Sequence, residues 1–332
     1  MKNQQTSSIR RRLIQSAVAS LCTLGALGAV QAQQAWPKAK PIRIVVGFAP
    51  GGTTDVMARS MGATLSEALG QTVLIDNKPG ASGNVAASEV IRAQPDGYTF
   101  LIAPTSFETA NPFLFKQTIN PAKELTPVAG VGRSQMYLVV PQNSPHKDAR
   151  ELVSFAQRNP AKLSYSSSGP GTPPHLAGEL FKQKAKFFAV HIPYRGSAPA
   201  LQAVLGSEAD FVMDPGISFP HVKAGKVRML AVAGSTRSSF FPDVPTLSEL
   251  GMKGAELDIW FGMWAPNGTP PEVTARMASE IDKALKTSAV KSRYEALGAE
   301  TLGLNNADFR KLLVNETQQL STLIKDSKIS VD

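Results

Sequence analysis

Short apolar runs alternate with amphipathic stretches along most of the chain. Strand-like runs stand at residues 42–46, 73–76 and 98–103, and stretches with helical spacing stand between them at 55–69 and 83–93. A strand, a helix and a second strand in succession form a right-handed crossover that lays the two strands parallel. The pattern therefore predicts an α/β fold with mixed, mostly parallel sheets.

The same alternation continues through the middle of the chain and predicts a second α/β unit. Its predicted strands are residues 135–140, 163–166, 188–193, 210–213 and 227–232, and its predicted helices are residues 149–158, 173–184, 199–205 and 218–224.

The last third of the chain is assigned to the first unit. It begins with a strand-like segment at residue 260 and continues with helical stretches at residues 271–287, 289–297 and 307–327. Helices so late in the chain can bury their apolar faces only against a sheet that already exists.

Two crossings of the chain between the units follow from this assignment. We expect them near residues 131–135 and 233–238, and two crossings make a hinge with a cleft between the lobes. The predicted division is lobe 1 from residues 33–133 and 236–332, and lobe 2 from residues 134–235.

The N-terminal segment has the pattern of an export signal. Arginines 10 to 12 precede an apolar run over residues 13–30, and Val30-Gln31-Ala32 supplies the small residues of a cleavage site. Residues 1–32 are therefore predicted to be a cleaved signal peptide, which implies a periplasmic protein. The arginines also loosely match a twin-arginine signal, so the Sec and Tat routes both stay open.

Composition excludes several classes of function. The single cysteine, Cys22, lies in the predicted signal, so neither disulfides nor cysteine catalysis are expected. The formal charge of +9 becomes mildly positive once that signal leaves, and no basic run with interleaved aromatics indicates a nucleic-acid partner. The four histidines lack metal-ligand spacing, and no Walker loop, G-x-G-x-x-G or G-x-S-x-G is present. We therefore expect no metal, no cofactor and no enzymatic activity.

The first candidate site is the glycine-rich turn that joins the first strand to the first helix. Such a turn aims free amide hydrogens outward at a helix start, where the dipole supplies roughly +0.5 charge and anions bind. Gly51 and Gly52 allow positive φ and close approach of a ligand, and Thr53, Thr54 or Asp55 is a plausible helix cap. The alternative is a purely structural turn. The candidates here are Phe48, Ala49, Pro50, Gly51, Gly52, Thr53, Thr54 and Asp55.

A second candidate site lies in lobe 2, where a serine- and glycine-rich loop follows a strand and precedes a helix with two prolines in its first turn. Its hydroxyls and amides suit a carboxylate, and the alternative is a solvated loop. The candidates in this loop are Ser167, Ser168, Gly169, Gly171 and Thr172.

Further candidates come from other predicted cleft positions. Each has an ordinary alternative, because His175 can pack or cap, Arg195 can be a surface charge and Asp214 can cap the next helix. These candidates are Thr105, Ser106, His175, Arg195, Gly196 and Asp214.

Collinear motifs carry a family resemblance over residues 36 to about 325. They include Pro50-Gly51-Gly52 with Thr54-Asp55, Asn77-Lys78-Pro79-Gly80, Asp96-Gly97-Tyr98-Thr99, His175-Leu176-Ala177-Gly178-Glu179, Pro193-Tyr194-Arg195-Gly196 and Trp260-Phe261-Gly262. The chain resembles the substrate-binding proteins of tripartite tricarboxylate transporters, the family that includes the Bordetella uptake gene (Bug) products.

The resemblance implies a periplasmic-binding-protein-like fold with two Rossmann-like lobes around a central cleft. The lobes would close on a small carboxylate, which a membrane permease then accepts. The acid can be mono- or dicarboxylic, aromatic or an amino acid, and we expect a monomer. An alternative with the same fold is an orphan sensor subunit that presents the liganded form to a signalling receptor.

One segment departs from the family pattern. Many members carry a histidine shortly before Asn-Pro, whereas this chain has Phe107-Glu108-Thr109-Ala110 before Asn111-Pro112. A carboxylate beside an anion site would repel the ligand unless it points away or pairs with a cation. One hypothesis is that Glu108 selects a positively charged or amide-bearing acid.

Overall fold

The structure, a computed structural model, describes residues 36–116, 119–327 and 329. The predicted signal peptide lies outside the described residues. Residues before Lys40 belong to a separate unit, of which only 36–39 are described, and the chain from Lys40 onward is one unit. Within the described part of the chain, no helix combines the length and the apolarity needed to cross a bilayer.

Eleven strands are described. They are β1 (Ile42–Val46), β2 (Val73–Asn77), β3 (Thr99–Pro104), β4 (Leu125–Ser134), β5 (Tyr137–Pro141), β6 (Ser164–Ser167), β7 (Val190–Pro193), β8 (Phe211–Asp214), β9 (Val227–Val232), β10 (Ile259–Pro266) and β11 (Ala299–Glu300).

The described helices surround these strands, and a short 3₁₀ turn at Ala81–Gly83 precedes the second of them. They are α1 (Thr53–Leu69), α2 (Asn84–Ile91), α3 (Ser106–Thr109), α4 (Asn111–Leu114), α5 (Pro121–Glu124), α6 (Ala149–Arg158), α7 (Pro173–Lys184), α8 (Ser197–Leu205), α9 (Phe219–Lys223), α10 (Pro271–Lys286), α11 (Ser288–Glu295) and α12 (Asn306–Ser327).

The strands form two sheets, with the orders β11-β4-β10-β3-β1-β2 and β7-β6-β8-β5-β9. In the first sheet β1 is parallel to β2 and β3, whereas β10 is antiparallel to β3 and β4, and β11 to β4. In the second sheet β6 is parallel to β7 and β8, whereas β5 is antiparallel to β8 and β9. The α/β class and the mixed sheets are confirmed.

The sheets are not mostly parallel, which corrects the prediction. Strands β4 and β5 follow each other with only two residues between them, and β10 enters the first sheet from the second without an intervening helix. The parallel rule applies to strands joined by a crossover helix, so it does not govern strands that pass directly between sheets.

The passages between the sheets lie at Ser134–Tyr137 and ahead of Ile259. After β9, Thr246 still pairs with Val232 of the second sheet, and the N–H of Leu247 donates to the carbonyl of Val232 at 2.9 Å. The division into lobes stays a prediction, and these bonds favour a second boundary closer to Ile259 than to residue 235.

Strand β4 has no counterpart in the sequence prediction, because its proline and glycines are typical of loops. The structure gives a packing reason for these glycines. A Cβ on Gly130 would lie 2.9 Å from Leu304, and one on Gly132 would lie 2.8 Å from Tyr294. The strand therefore needs bare backbone where α11 and the segment before α12 cross it.

Candidate functional site

The glycine-rich turn brings the chain from β1 into α1, as the sequence predicts. Gly51 has φ +80°, which favours glycine. Gly52 is the residue before the first turn of α1, with φ −77° and ψ 167°, an extended conformation that any residue adopts. Of the two glycines expected to use positive φ, only Gly51 does so, and Gly52 matters for the space that it leaves open.

Asp55 holds the turn together from within the helix. Its carboxylate accepts the N–H of Gly51 at 2.9 Å, pairs with Arg59 at 3.0 Å and accepts the amide of Asn77 at 2.9 Å. Burial works to raise the pKa of Asp55, but these partners outweigh it and hold the pKa below its usual range. The negative charge is therefore neutralised by Arg59 instead of repelling an anion at the helix start.

Three backbone donors at the start of α1 have no acceptor among the described residues. No hydrogen bond joins the N–H of Thr53, Thr54 or Asp55 to another described residue. The hydroxyl oxygen of Thr53 is also buried without a partner among those residues. Buried polar groups nearly always have partners, so an unpaired set at a helix start indicates a place for an anion.

A small cavity lies in front of this helix start. It has about 320 Å³ of space between atoms, a volume that includes some open solvent, and little of that space is wide enough for a water molecule. The residues that line it are Phe48, Gly52, Thr53, Thr54, Pro104, Ser168, Pro173, Pro174, Ser197, Pro215, Ile259 and Phe261.

The serine- and glycine-rich loop of lobe 2 is mostly bonded to itself. The N–H of Gly169 donates to Ser167 Oγ at 3.1 Å, and Ser167 Oγ lies 2.6 Å from His191 Nε2. The Thr172 hydroxyl donates to the carbonyl of Gly169 at 2.6 Å. Of this loop only Ser168 lines the cavity, and its own hydroxyl donates to Thr172 at 3.0 Å.

His175 supports this loop. Its Nδ1 accepts the N–H of Gly171 at 3.1 Å, and its ring lies 4.3 Å from that of His191. Burial lowers the pKa of His175 to about 4 and that of His191 to about 3, so both rings are neutral at physiological pH. The structure thus places His175 in the packing role given as its alternative, away from the cavity wall.

Another helix start, in lobe 2, also has backbone donors without an acceptor in the described part of the chain. No described residue accepts the N–H of Ser197 or Ala198, at the beginning of α8. A Cβ on Gly52 would lie 3.7 Å from Ser197 N and 3.9 Å from Ala198 N, so the starts of α1 and α8 face each other. The sequence prediction placed a helix start near Ser197 but named only the preceding Arg195 and Gly196 as site candidates, so Ser197 and Ala198 were missed.

The peptide before α8 contacts the glycine-rich turn directly. The N–H of Ala49 donates to the carbonyl of Arg195 at 3.1 Å, and a Cβ on Gly196 would lie 3.1 Å from Ala49 N. The amide of Ala49 is therefore not open to a ligand. The Arg195 side chain is exposed and lines an open groove of about 910 Å³ that shares Phe48 and Ser168 with the cavity.

Other predicted site residues face away from the cavity. Thr105 bonds to the carbonyl of Trp260 through its N–H at 2.9 Å and its hydroxyl at 3.3 Å, and Pro104 stands on the wall instead of Thr105 or Ser106. Asp214 is fully buried, and one of its carboxylate oxygens accepts the N–H groups of Gly216 and Ser218 at 2.8 and 2.9 Å. This is the helix-capping alternative, although its other oxygen has no described partner.

Glu108 lies in the core of lobe 1. Its carboxyl accepts the indole N–H of Trp264 at 2.7 Å, and the Trp264 ring packs edge-on against Phe107 at 4.7 Å. Burial raises the pKa of Glu108 to about 7, against the opposing effects of Trp264 and Arg310. The hypothesis that Glu108 selects a positively charged ligand is not supported, because the carboxyl does not line the cavity.

No cluster of metal-ligating side chains occurs among the described residues. Two helix starts and small hydroxyl side chains meet here, an arrangement that can hold an anion. Ala49, Pro50, Gly51 and Asp55 shape the turn without lining the cavity, whereas Phe48, Gly52, Thr53, Thr54 and Ser168 line it.

Comparison with known proteins finds a family model and solved structures that this chain resembles over most of its length. The family model of the tripartite tricarboxylate transporter family receptor matches residues 57–329. The periplasmic binding protein BugD is 34% identical, with 88% of this chain and 99% of BugD covered and a TM-score of 0.83. A Rhodopseudomonas palustris protein solved with adipate is 33% identical, with 89% and 99% covered and a TM-score of 0.85.

A further neighbour was solved with a different acid. MatC from Rhodopseudomonas palustris, with bound malate, is 31% identical, with 86% of this chain and 99% of MatC covered and a TM-score of 0.82. The family match spans more than half of the chain, and the resemblance given by the sequence motifs is confirmed. The chain belongs to the tripartite tricarboxylate transporter receptor family, a family of solute-binding proteins.

Proposed function

We propose that this protein captures a small carboxylate between its two lobes in the periplasm and delivers it to a tripartite tricarboxylate-type membrane transporter. The observation that carries the proposal is a set of groups at the start of α1 that line the cavity and have no partner among the described residues: the amides of Thr53 and Thr54 and the buried hydroxyl of Thr53. The free amides of Ser197 and Ala198 face the same gap from lobe 2.

The electrostatics of the gap suit one carboxylate. The 17-residue helix α1 and the nine-residue helix α8 each present a positive dipole end, roughly +0.5 charge apiece. Asp55, the acid nearest to the start of α1, is paired with Arg59. A carboxylate placed between the helix starts would receive hydrogen bonds from both lobes.

Magnitudes indicate why both lobes are needed. A hydrogen bond to a charged group contributes about 1.5–3 kcal/mol, so four of them supply roughly 6–12 kcal/mol. Immobilising the ligand costs at least about 4 kcal/mol, and micromolar affinity needs about 8 kcal/mol. The difference is roughly 2–8 kcal/mol, which reaches micromolar affinity only at its upper limit, and closure of the second lobe supplies the remainder.

Two contacts support such closure. Ser82 Oγ donates to the carbonyl of Pro170, and Ala49 N–H donates to that of Arg195, in each case from lobe 1 to lobe 2. Family membership supports delivery to a transporter, and the relatives solved with adipate and malate support an organic acid as cargo.

A thermal-shift screen of the protein without residues 1–32 tests this function. Each carboxylic acid is paired with its neutral primary amide, so that the two probes differ in charge and hardly in shape. At 100 times the dissociation constant an acid should add about 2.7 kcal/mol to the free energy of unfolding, whereas its amide should add almost nothing. Equal shifts for acid and amide across the screen would refute an anion site.

Delivery needs a separate measurement in cells. Deletion of the gene should abolish uptake of the acid found in the screen, and a plasmid copy should restore it. Unchanged uptake in the deletion strain would contradict the transport role while leaving the binding result intact.

A further inference from the structure

We infer that the cargo carries a single carboxylate and an uncharged, apolar remainder, so that this receptor prefers monocarboxylic acids to dicarboxylic acids of the same length. This inference rests on the proposed function and specifies its substrate class. The observation behind it is that the polar residues of the cavity lining are gathered at the starts of α1 and α8 and at Ser168, whereas the remaining lining residues have neither donor nor cationic side chains.

The polar lining of the cavity is gathered at the helix starts. Gly52, Thr53 and Thr54 come from the start of α1, and Ser168 and Ser197 come from lobe 2. A Cβ on Gly52 would lie only 3.7 Å from Ser197 N, so the starts of α1 and α8 are close together. Groups gathered at one place cannot hold two carboxylates at opposite ends of a ligand.

The rest of the lining cannot donate hydrogen bonds through its side chains. It consists of aromatic, aliphatic and proline residues, and four of these are prolines, which also lack a backbone N–H. The seven residues are Phe48, Pro104, Pro173, Pro174, Pro215, Ile259 and Phe261. No lysine, arginine or histidine is among the described residues that line the cavity.

Charged groups behind this wall would not attract a second carboxylate. Glu108 lies four residues after Pro104, and Asp214 immediately precedes Pro215, and both side chains are buried acids. His175 is buried and neutral because its pKa is lowered to about 4. A second carboxylate would therefore lose its hydration without gaining a cation or a donor, which is costly for an ionised group.

The nearest alternative partner for a second carboxylate is Arg195. It lies in the outer groove, beyond the shared residues Phe48 and Ser168, and its side chain is exposed. A long diacid that reached past Phe48 could pair with it. The variant Arg195→Gln tests whether this pairing occurs, because it removes the cation from the outer groove and leaves the residues that line the cavity unchanged.

The test is calorimetric titration of the protein without residues 1–32 against pairs of acids with equal carbon number. The pairs are butanoate with succinate, hexanoate with adipate, octanoate with suberate, and 4-methylbenzoate with terephthalate, all at pH 8, where every carboxyl is ionised. In every pair that binds, the monoacid should bind at least tenfold more tightly. Arg195→Gln should leave that ratio unchanged, and hexan-1-ol should not bind.

The outcomes are separable. A diacid that binds as tightly as its monoacid, or more tightly, overturns the inference and leaves the carboxylate-binding function standing. If the wild-type protein binds the diacid at least as tightly as the monoacid and Arg195→Gln does not, the second carboxylate is held in the outer groove. That result also overturns the inference. Absence of binding by every acid overturns both the inference and the proposed function.

Discussion

The two glycine-containing loops that flank the cavity are alike in sequence and unlike in what they leave free. At the start of α1, the amides of residues 53–55 have no described acceptor and the Thr53 hydroxyl has no described partner. In the loop over residues 167–172, the hydroxyls of Ser167 and Thr172 bond within the loop or to His191, and the Gly171 amide is taken by His175.

The difference teaches that composition does not decide whether a loop binds a ligand. Both loops are rich in glycine and hydroxyl residues and both precede a helix. The helix after the second loop begins with Pro173 and Pro174, which remove two of the amides that a helix start otherwise leaves free. Lobe 2 instead presents the start of α8, where Ser197 and Ala198 retain their amides.

Filling the gap between the starts of α1 and α8 should have the largest effect on ligand affinity. Gly52→Val places two methyl groups between the helix starts, where a Cβ alone would already lie 3.5 Å from Ala49 O and 3.7 Å from Ser197 N. We expect affinity for the best acid to fall at least about 100-fold, which corresponds to about 2.7 kcal/mol. The measurement is calorimetric titration, with a melting curve of each variant.

Gly52→Ala is the matched control for this change. Its single methyl meets only ordinary van der Waals contacts, and the extended backbone at this position suits alanine and valine alike. Affinity should fall by less than tenfold. Binding by the valine variant that equals that of the wild-type protein would remove the gap between α1 and α8 from the site.

The hydroxyls of the two loops should respond in opposite ways to removal. Thr53→Val deletes a hydroxyl without a described partner, so stability should not fall, whereas affinity should fall about 10- to 150-fold if the hydroxyl donates to a carboxylate. Ser168→Ala deletes the donor to Thr172, so it should cost about 1 kcal/mol of stability and change affinity less than threefold.

Urea unfolding and calorimetric titration of both variants check this pair. The contrast between the loops fails if Ser168→Ala loses more affinity than Thr53→Val. It also fails if Thr53→Val loses stability comparable to that of Ser168→Ala, because the Thr53 hydroxyl would then have a structural partner.

Local signals account for the parts of the fold that the sequence predicted well. Helix α7 and strand β9 have the predicted bounds, because prolines mark the start of one and a continuous apolar run defines the other. Strand β4 was missed because its glycines reflect packing against Leu304 and Tyr294, which are more than 150 residues away. Such a reason has no local signature.

The contrast between local signals and long-range contacts also explains which residues of the cavity wall were predicted and which were missed. Thr53 and Thr54 were found because a glycine-rich turn before a helix is a local pattern. Pro104, Ile259 and Phe261 were missed because only the antiparallel pairing of β10 with β3 brings them to the site. Pairing between segments about 155 residues apart is set by tertiary structure and not by local spacing.

A buried histidine should give lobe 2 a stability that is lost in acid. The pKa of His175 is about 4 in the folded protein and about 6.5 when unfolded, so its contribution is complete above pH 6.5 and is lost as pH falls towards 4. Over that interval we expect a loss of about 2–3 kcal/mol. His175→Asn retains an acceptor for the Gly171 amide and should reduce the dependence of the urea unfolding midpoint on pH. An unchanged dependence would contradict the assignment of this acid sensitivity to His175.

A buried acid should give lobe 1 the opposite response, which is smaller over the narrower interval from pH 5.5 to 7. Burial raises the pKa of Glu108 to about 7 from 4.5, so its contribution is complete below pH 4.5 and is lost as pH rises through 7. Between pH 5.5 and 7 this amounts to about 1–2 kcal/mol. Glu108→Gln retains an acceptor for Trp264 and should be more stable than the wild-type protein at pH 8 but not at pH 4.5. If the difference in stability between the variant and the wild-type protein is the same at pH 8 and pH 4.5, the Glu108 carboxyl does not change its protonation on unfolding. The contrast between the lobes would then depend on His175 alone.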